Sequence, residues 1–345
     1  MSVPAISVIM PCFNAERHIG RGAASALGQT YGDIELIVVD DGSTDGSAAV
    51  LERLQDPRLV AVRQEHRGVS AARNAGLTRA VGRYIAFLDA DDTWDSRFLE
   101  KMVRALETAP RAVLAYCGWQ NVGLSGGMGK PHIPPEREGE RKIESLLAGC
   151  PWPIHAALTR REAVAAAGGF DERVAIAEDY GLWLRVAAFN PIVRVPEVLA
   201  YYNFHGGAQA TKNRAKALRH QWLAQQQFLK EHLEIVLKLG ESRVRELTTG
   251  SLLRHGYDLY WHRDLHWAQE IFRMVIRTGH WQFRDLRYLL PALMPFVLYQ
   301  RLVGWMDSRA AKKNANPIHG QQPAEANGSC HHEGLHGDPA SKLNE

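Results

Sequence analysis

Short apolar runs that end in carboxylates or amides, each separated from the next by a stretch of helical pattern, constrain this chain of 345 residues more than any other feature. Residues 6–10 (ISVIM), 35–40 (ELIVVD), 59–63, 84–88 (YIAFL) and 112–117 read as strands. Residues 15–27, 45–54, 69–80 and 95–108 between them read as helices. Strands alternating with helices of this length build βαβ units. Their crossovers are right-handed and cover both faces of a mostly parallel sheet. The fold class expected is therefore α/β, a mostly parallel sheet flanked by helices.

The rhythm breaks at residues 118–140, where GLSGGMGKPHIPPEREGE gathers Gly, Pro and charge and predicts a loop. A second α/β stretch follows over residues 151–202. From 211 to about 305 the pattern is helical, giving a helical C-terminal appendage. After 307 large apolar residues almost vanish, which predicts a disordered tail. The expected organisation is a domain over 1–210, a helical region over 211–306 and a tail over 307–345. The tail's HHEGLH resembles a metal tract, but a polar tail is the preferred reading.

Several classes are disfavoured at once. A net charge of +3 is too small to argue for nucleic acid. Cys12, Cys117, Cys150 and Cys330 lie far apart with no CxxC spacing, so neither a zinc site nor a disulfide framework is expected. The first residues lack the basic and apolar regions of a signal peptide, and no run of 18 apolar residues occurs. A cytoplasmic location is expected, with the inner face of a membrane as an extension of it. Trp261, Trp267, Trp281 and the stretch LLPALMPFVLY, with Arg nearby, suit peripheral membrane association or simple packing. No GxGxxG follows the first strand and no GxxxxGK[ST] occurs, so a phosphate would not be held by a glycine cradle.

Ligands of open α/β sheets bind beyond the carboxyl ends of the strands. Here those ends carry Pro11, Phe13 and Asn14, then Asp40 and Asp41, then Asp89, Asp91 and Asp92. Three carboxylates within FLDADD repel one another unless donors or a cation neutralise them. A hard divalent cation takes such oxygens and bridges to phosphates. Ser43, Thr44 and Asp45 or Asp92 and Thr93 also serve as helix caps, and capping alone does not require paired acids.

Five elements occur in order: SVIMPCFNAERHI, ELIVVDDGSTDGS, RGVSAARNAGL, GRYIAFLDADDTW and GGFDERVAIAEDYGLWLRV. Together, over residues 5–205, they resemble the family 2 glycosyltransferases with the A-type glycosyltransferase fold. The resemblance implies a nucleotide-binding sheet and inverting transfer of a sugar from a nucleotide-diphosphate donor, most commonly a UDP-sugar, to a hydroxyl. The acceptor would be a saccharide or a lipid-linked one, in polysaccharide or glycolipid synthesis, and nucleic acid would not be a partner. By the same resemblance Pro11, Phe13, Asn14, Asp40, Asp41, Arg73, Asn74 and Asp89 contact the nucleotide. Asp91 would hold Mn2+ or Mg2+, with His205 as a further metal or phosphate contact. Asp179 matches the general base and Glu178 orients a substrate. Asn203 stands where relatives carry arginine, which weakens phosphate contacts from that segment. Trp183 suits either sugar stacking or the core, and Asp171 either the acceptor or loop order. Two rivals remain, a catalytically inactive sugar-nucleotide or carbohydrate-binding module and a sugar-nucleotide-forming nucleotidyltransferase. The second would want a Gly-rich basic loop where PCFNAERH stands.

Overall fold

The computed structural model describes residues 3–123, 129–174, 176–205 and 214–315. At its centre lies β1 (Ile6–Cys12), every residue of which is buried. Burial on both faces is why this run is almost wholly apolar and does not alternate; its one polar side chain, Ser7, donates to Glu35. β2 (Ile34–Asp40) and β4 (Tyr84–Phe87) flank it in parallel, and β3 (Leu59–Arg63) adds to β2 in the same direction. The crossovers are α1 (Ile19–Leu27), α2 (Ser47–Glu52) and α3 (Val69–Arg79). This half follows the expected βαβ reading.

The other half reverses direction. The sheet order is β3-β2-β1-β4-β8-β6-β9-β5. β8 (Ala157–Arg160) inserts antiparallel between β4 and β6 (Leu114–Val122). β6 then pairs in parallel with β9 (Ile192–Asn203), and the two-residue β5 (Thr93–Trp94) runs antiparallel along β9. The sheet is thus mixed, and α4 (Phe98–Thr108) packs on its second half.

The loop expected at 118–140 is partly strand. β6 continues to Val122 because β9 offers it a long parallel partner, and β7 (Pro131–His132) pairs back on it. Gly118 sits where the three meet, at a register shift; a Cβ there would lie 2.7 Å from the His132 carbonyl oxygen.

Beyond α5 (Lys142–Leu147) and α6 (Arg161–Ala166), the helix α7 (Glu178–Ala187) presents its first turn to the sheet edge. α8 (Arg214–Glu231) packs on α7. Behind it follow α9 (Leu233–Leu239), α10 (Glu241–Arg245), α11 (Ser251–Trp261), α12 (Leu265–Thr278) and the short α13 (Leu286–Leu289). One compact unit extends to Phe296, so the helices after 214 belong with the sheet. A second unit begins at Val297 and, as far as it is described, is the remainder of α14 (Phe296–Ala315). Residues 307–315 continue that helix, whereas the rest of the expected tail, with HHEGLH and Cys330, lies outside the described residues.

Candidate active site

The loops that leave β1 and β2 are laced together. Asn14, at φ 50°, donates its backbone N–H to Ser43 Oγ (2.9 Å) and accepts from the Thr44 N–H through Oδ1 (2.8 Å). Ala15 N–H donates to Ser47 Oγ at 2.9 Å. Pro11 is buried in β1, while Phe13 projects into solvent and stacks on His66 with ring centroids 4.0 Å apart. His66, from QEHRG just before α3, was not singled out in the sequence. Its only signal there was its place between a strand and the GVSAARN helix.

The paired acids after β2 separate in role. Asp40 is 5% exposed; its Oδ1 accepts from Ser43 N–H at 2.9 Å, while its buried Oδ2 has no hydrogen-bond partner. The nearest cation to Oδ2 is Arg63 at 3.7 Å. Asp41 accepts from Gln64 Nε2 (2.7 Å) and from the N–H groups of Arg67 (2.9 Å) and Gly68 (2.8 Å). Asp41 therefore anchors the loop before α3, whereas Asp40 keeps a buried acceptor with no hydrogen bond.

α3 contributes two residues that hold the site together. The Arg73 side chain is 2% exposed; Nη2 donates to Asp89 Oδ1 at 2.6 Å and Nη1 to Glu178 Oε1 at 2.5 Å. Burial alone would lower its pKa, but the charges of Asp89 and Glu178 override this and raise it above its ordinary value. Phe170 lies under the guanidinium, 5.3 Å from the ring centroid. Asn74 clamps the GGFDE loop, donating to the Phe170 carbonyl (2.9 Å) and accepting from the Phe170 N–H (2.9 Å). Both side chains are thus engaged by partners within the protein. Asn74→Ala strands both backbone groups of Phe170 and should cost about 1–3 kcal/mol, read as a lower midpoint in urea unfolding.

The DADD loop is pressed against α1. A Cβ on Gly22 would lie 2.7 Å from the Ala90 carbonyl oxygen, so glycine is required for that approach. Asp89 and Asp91 stay partly open, with side chains 29% and 30% exposed. Asp92 points inward. Its Oδ1 accepts from Asn203 N–H (2.9 Å), and its Oδ2 lies 3.1 Å from Nδ1 of the fully buried His155. Burial, then the charges of Asp89 and Asp91, raises the Asp92 pKa, and burial lowers that of His155 to about 4. Both shifts favour a neutral pair behind the loop. Asp91 Oδ2 lies 3.0 Å from His205 Nε2, and His18 of the α1 approach stacks on His205 at 4.3 Å. Arg21 Nη2 donates to the Asp91 carbonyl at 3.3 Å. His18 and His155 were not foreseen. Among the described residues no three His, Cys, Asp or Glu side chains cluster tightly enough to hold a metal by themselves. Asp91 and His205 offer an oxygen and a nitrogen side by side, a donor set suited to Mn2+ or Mg2+ when phosphate oxygens and water complete the shell.

The second pair of acids opens α7. Ala177 at φ 61° turns the chain into the helix, and Glu178 and Asp179 form its first turn. A helix N-terminus favours the charged carboxylate. Burial and the neighbouring Glu178 charge outweigh it and raise the Asp179 pKa to about 7. Asp179 Oδ1 accepts from Tyr180 N–H at 2.8 Å. Trp183 is fully buried near Trp152, at 6.1 Å, which places it in the core rather than against a sugar. Asp171 is paired with Arg173 at 2.8 Å within the loop.

Comparison with known proteins bears on the family and the fold. The family model described as glycosyl transferase family 2 matches residues 7–165. An uncharacterized glycosyltransferase of Nostoc sp. is 32% identical over 58% of this chain and 65% of its own length, just under two thirds. A UDP-Glc:alpha-D-GlcNAc-diphosphoundecaprenol beta-1,3-glucosyltransferase of Escherichia coli, WfaP, is 27% identical over 67% of this chain and 90% of its own. Among solved structures, S. aureus TarS 1-349 in complex with UDP superposes with a TM-score of 0.57 at 18% identity, covering 91% of this chain and 93% of TarS. A Pyrobaculum calidifontis mannosyltransferase in complex with GDP-Man and Mn2+ gives a TM-score of 0.51 at 19% identity, covering 91% and 88%. At these identities the structural likeness speaks to the fold.

Proposed function

We propose that this chain, whose residues 7–165 match the glycosyl transferase family 2 model, moves a sugar from a nucleotide diphosphate to an acceptor hydroxyl with inversion. The observation that carries this reading is the Arg73 bridge. One buried guanidinium joins Asp89 of the DADD loop to Glu178, which sits beside Asp179. Two acid groups about 90 residues apart in the chain thus face one site.

In this reading the Oδ2 of Asp40, which has no hydrogen-bond partner, accepts an N–H or O–H of the nucleoside once the loop around it opens, beside the Phe13–His66 stack. Asp89 meets the ribose. Asp91 and His205 hold Mn2+ or Mg2+, which when bound offsets negative charge on the departing diphosphate. Asp179 accepts the proton of the acceptor hydroxyl as that oxygen attacks the anomeric carbon opposite the nucleotide. A pKa near 7 suits a base working at neutral pH. Glu178, fixed by Arg73, orients the sugars.

The UDP of the TarS complex and the UDP-Glc in the name of WfaP support a UDP-sugar donor. The diphosphoundecaprenol-linked acceptor in that name supports a lipid-linked acceptor. Such an acceptor implies work at a membrane surface, as a peripheral protein on the cytoplasmic side. Among the described residues no helix is long and apolar enough to cross a membrane.

A screen of nucleotide sugars with Mn2+ tests the proposal. Slow metal-dependent release of UDP is expected. Pyrophosphate exchange would mark a nucleotidyltransferase instead, and tight binding without turnover an inactive module. Asp91→Ala should weaken Mn2+ and donor binding together, and its activity should fall by at least about 100-fold. Titration calorimetry of Mn2+ with UDP checks the binding half. Undiminished metal-linked donor affinity would remove Asp91 from the metal site.

A further inference from the structure

The segment from Phe283 to Leu293 is a run of short helical turns with an inverted surface. Its inner face buries Asp285, Leu289 and Ala292. Its outer face, at spacings that repeat one side of a helix, carries Phe283, Arg284, Arg287, Leu290 and Leu293. Phe283 is 87% exposed, Leu290 56% and Leu293 57%. A face meant for water alone would not carry large apolar side chains in register. Trp261, 60% exposed, extends the same surface, since its ring lies 6.2 Å from that of Tyr288 within the segment.

Charge adds a second, independent observation. Residues 283–293 contain two arginines, Arg284 and Arg287, and one acid, Asp285. Asp285 is buried and accepts from the Tyr257 hydroxyl (2.7 Å) and the Gln282 N–H (2.7 Å), so it does not oppose the surface arginines. Arg287 lies over the Tyr288 ring, 4.9 Å from its centroid, and Arg263 over that of Trp261 at 5.8 Å. Within residues 283–293, apolar side chains interleaved with arginine and no exposed acid match the boundary between headgroups and acyl chains of an anionic bilayer.

We infer that this face docks the protein on an anionic lipid surface, with Phe283, Leu290 and Leu293 entering the interface and Arg284 and Arg287 meeting the phosphates. The inference deepens the lipid-linked acceptor reading, but it stands on the strip itself. A second copy of the chain is the competing occupant. A membrane is favoured because a two-fold contact would set these arginines against one another.

The test uses the full chain and vesicles free of any acceptor lipid. With vesicles of phosphatidylcholine containing about 30% phosphatidylglycerol, the protein should co-sediment. It should bind pure phosphatidylcholine at least about tenfold more weakly, and salt should release it. Phe283→Ser combined with Leu290→Ser should lower partitioning by about tenfold or more, with transfer to a water-soluble acceptor unchanged. Arg287→Glu should remove most of the preference for the anionic vesicles. Three results would overturn the inference: no sedimentation with either vesicle, sedimentation that the double substitution leaves unchanged, or self-association that the same substitution abolishes without vesicle binding. Transfer is read separately on the soluble acceptor, so loss of that activity with vesicle binding intact would count against the enzymatic reading alone.

Discussion

Asp179→Asn is expected to lower turnover by about 10²–10⁴-fold, the usual worth of a positioned general base, while donor affinity stays near that of the parent. The parent's rate should rise through about pH 7, where burial and the Glu178 charge set the Asp179 pKa. The variant should lose that limb of the profile. Stability should move the opposite way. The folded pKa of Asp179 is raised above its unfolded value of about 3.9. Its contribution is therefore fully present below pH 4 and is lost as pH rises through about 7. The neutral Asn escapes this loss. The melting-temperature difference, variant minus parent, should grow between pH 4 and pH 7 and level off above it. Scanning calorimetry across that range, beside initial rates, checks both halves. Normal turnover in the variant would remove Asp179 as the base, and a flat stability difference would deny its raised pKa.

β1, β2 and β4 were legible because nearly all their residues are buried, so their apolar runs needed no partner to be recognised, whereas the exposed edge strand β3 was legible only from its β-branched run between two helical stretches. The reversal at β8 was not. Ala157–Arg160 is only four residues long, and nothing local in it encodes antiparallel pairing with β4. The acids were legible as a set but not as individuals. Asp40 and Asp41 look equivalent in VVDDGS, yet one keeps a free oxygen and the other is spent on the 64–68 loop. Successive side chains of an extended strand point to opposite sides, and which side faces the ligand depends on the neighbouring loop. Arg73 and Asn74 read as nucleotide contacts because they sit in a loop-to-helix motif near the strand ends. Their partners, Asp89, Glu178 and Phe170, lie 16, 105 and 96 residues away, beyond any local pattern. His155 was invisible for the same reason, since its only distinguishing feature is burial against Asp92.

Arg73→Met should be the most damaging single substitution in the site. The guanidinium is almost wholly enclosed and ion-paired to two carboxylates, so its removal leaves Asp89 and Glu178 facing each other without a counter-charge. Breaking a buried ion pair from one side costs about 3–5 kcal/mol, a large share of the stability of an ordinary domain. Arg73→Lys keeps a charge, but an ammonium cannot span both acids as the planar fork does. It should fold better than Arg73→Met and still lose turnover, because Glu178 and the Asp89 loop lose their common reference point. Adding Glu178→Gln to Arg73→Met relieves one unpaired charge. The double variant should recover part of the lost stability in urea unfolding but none of the transfer rate. That split distinguishes a residue that aligns the two acid groups from one that only supports the fold. If Arg73→Lys retained full turnover, the two acid groups would not depend on the bridge for their alignment.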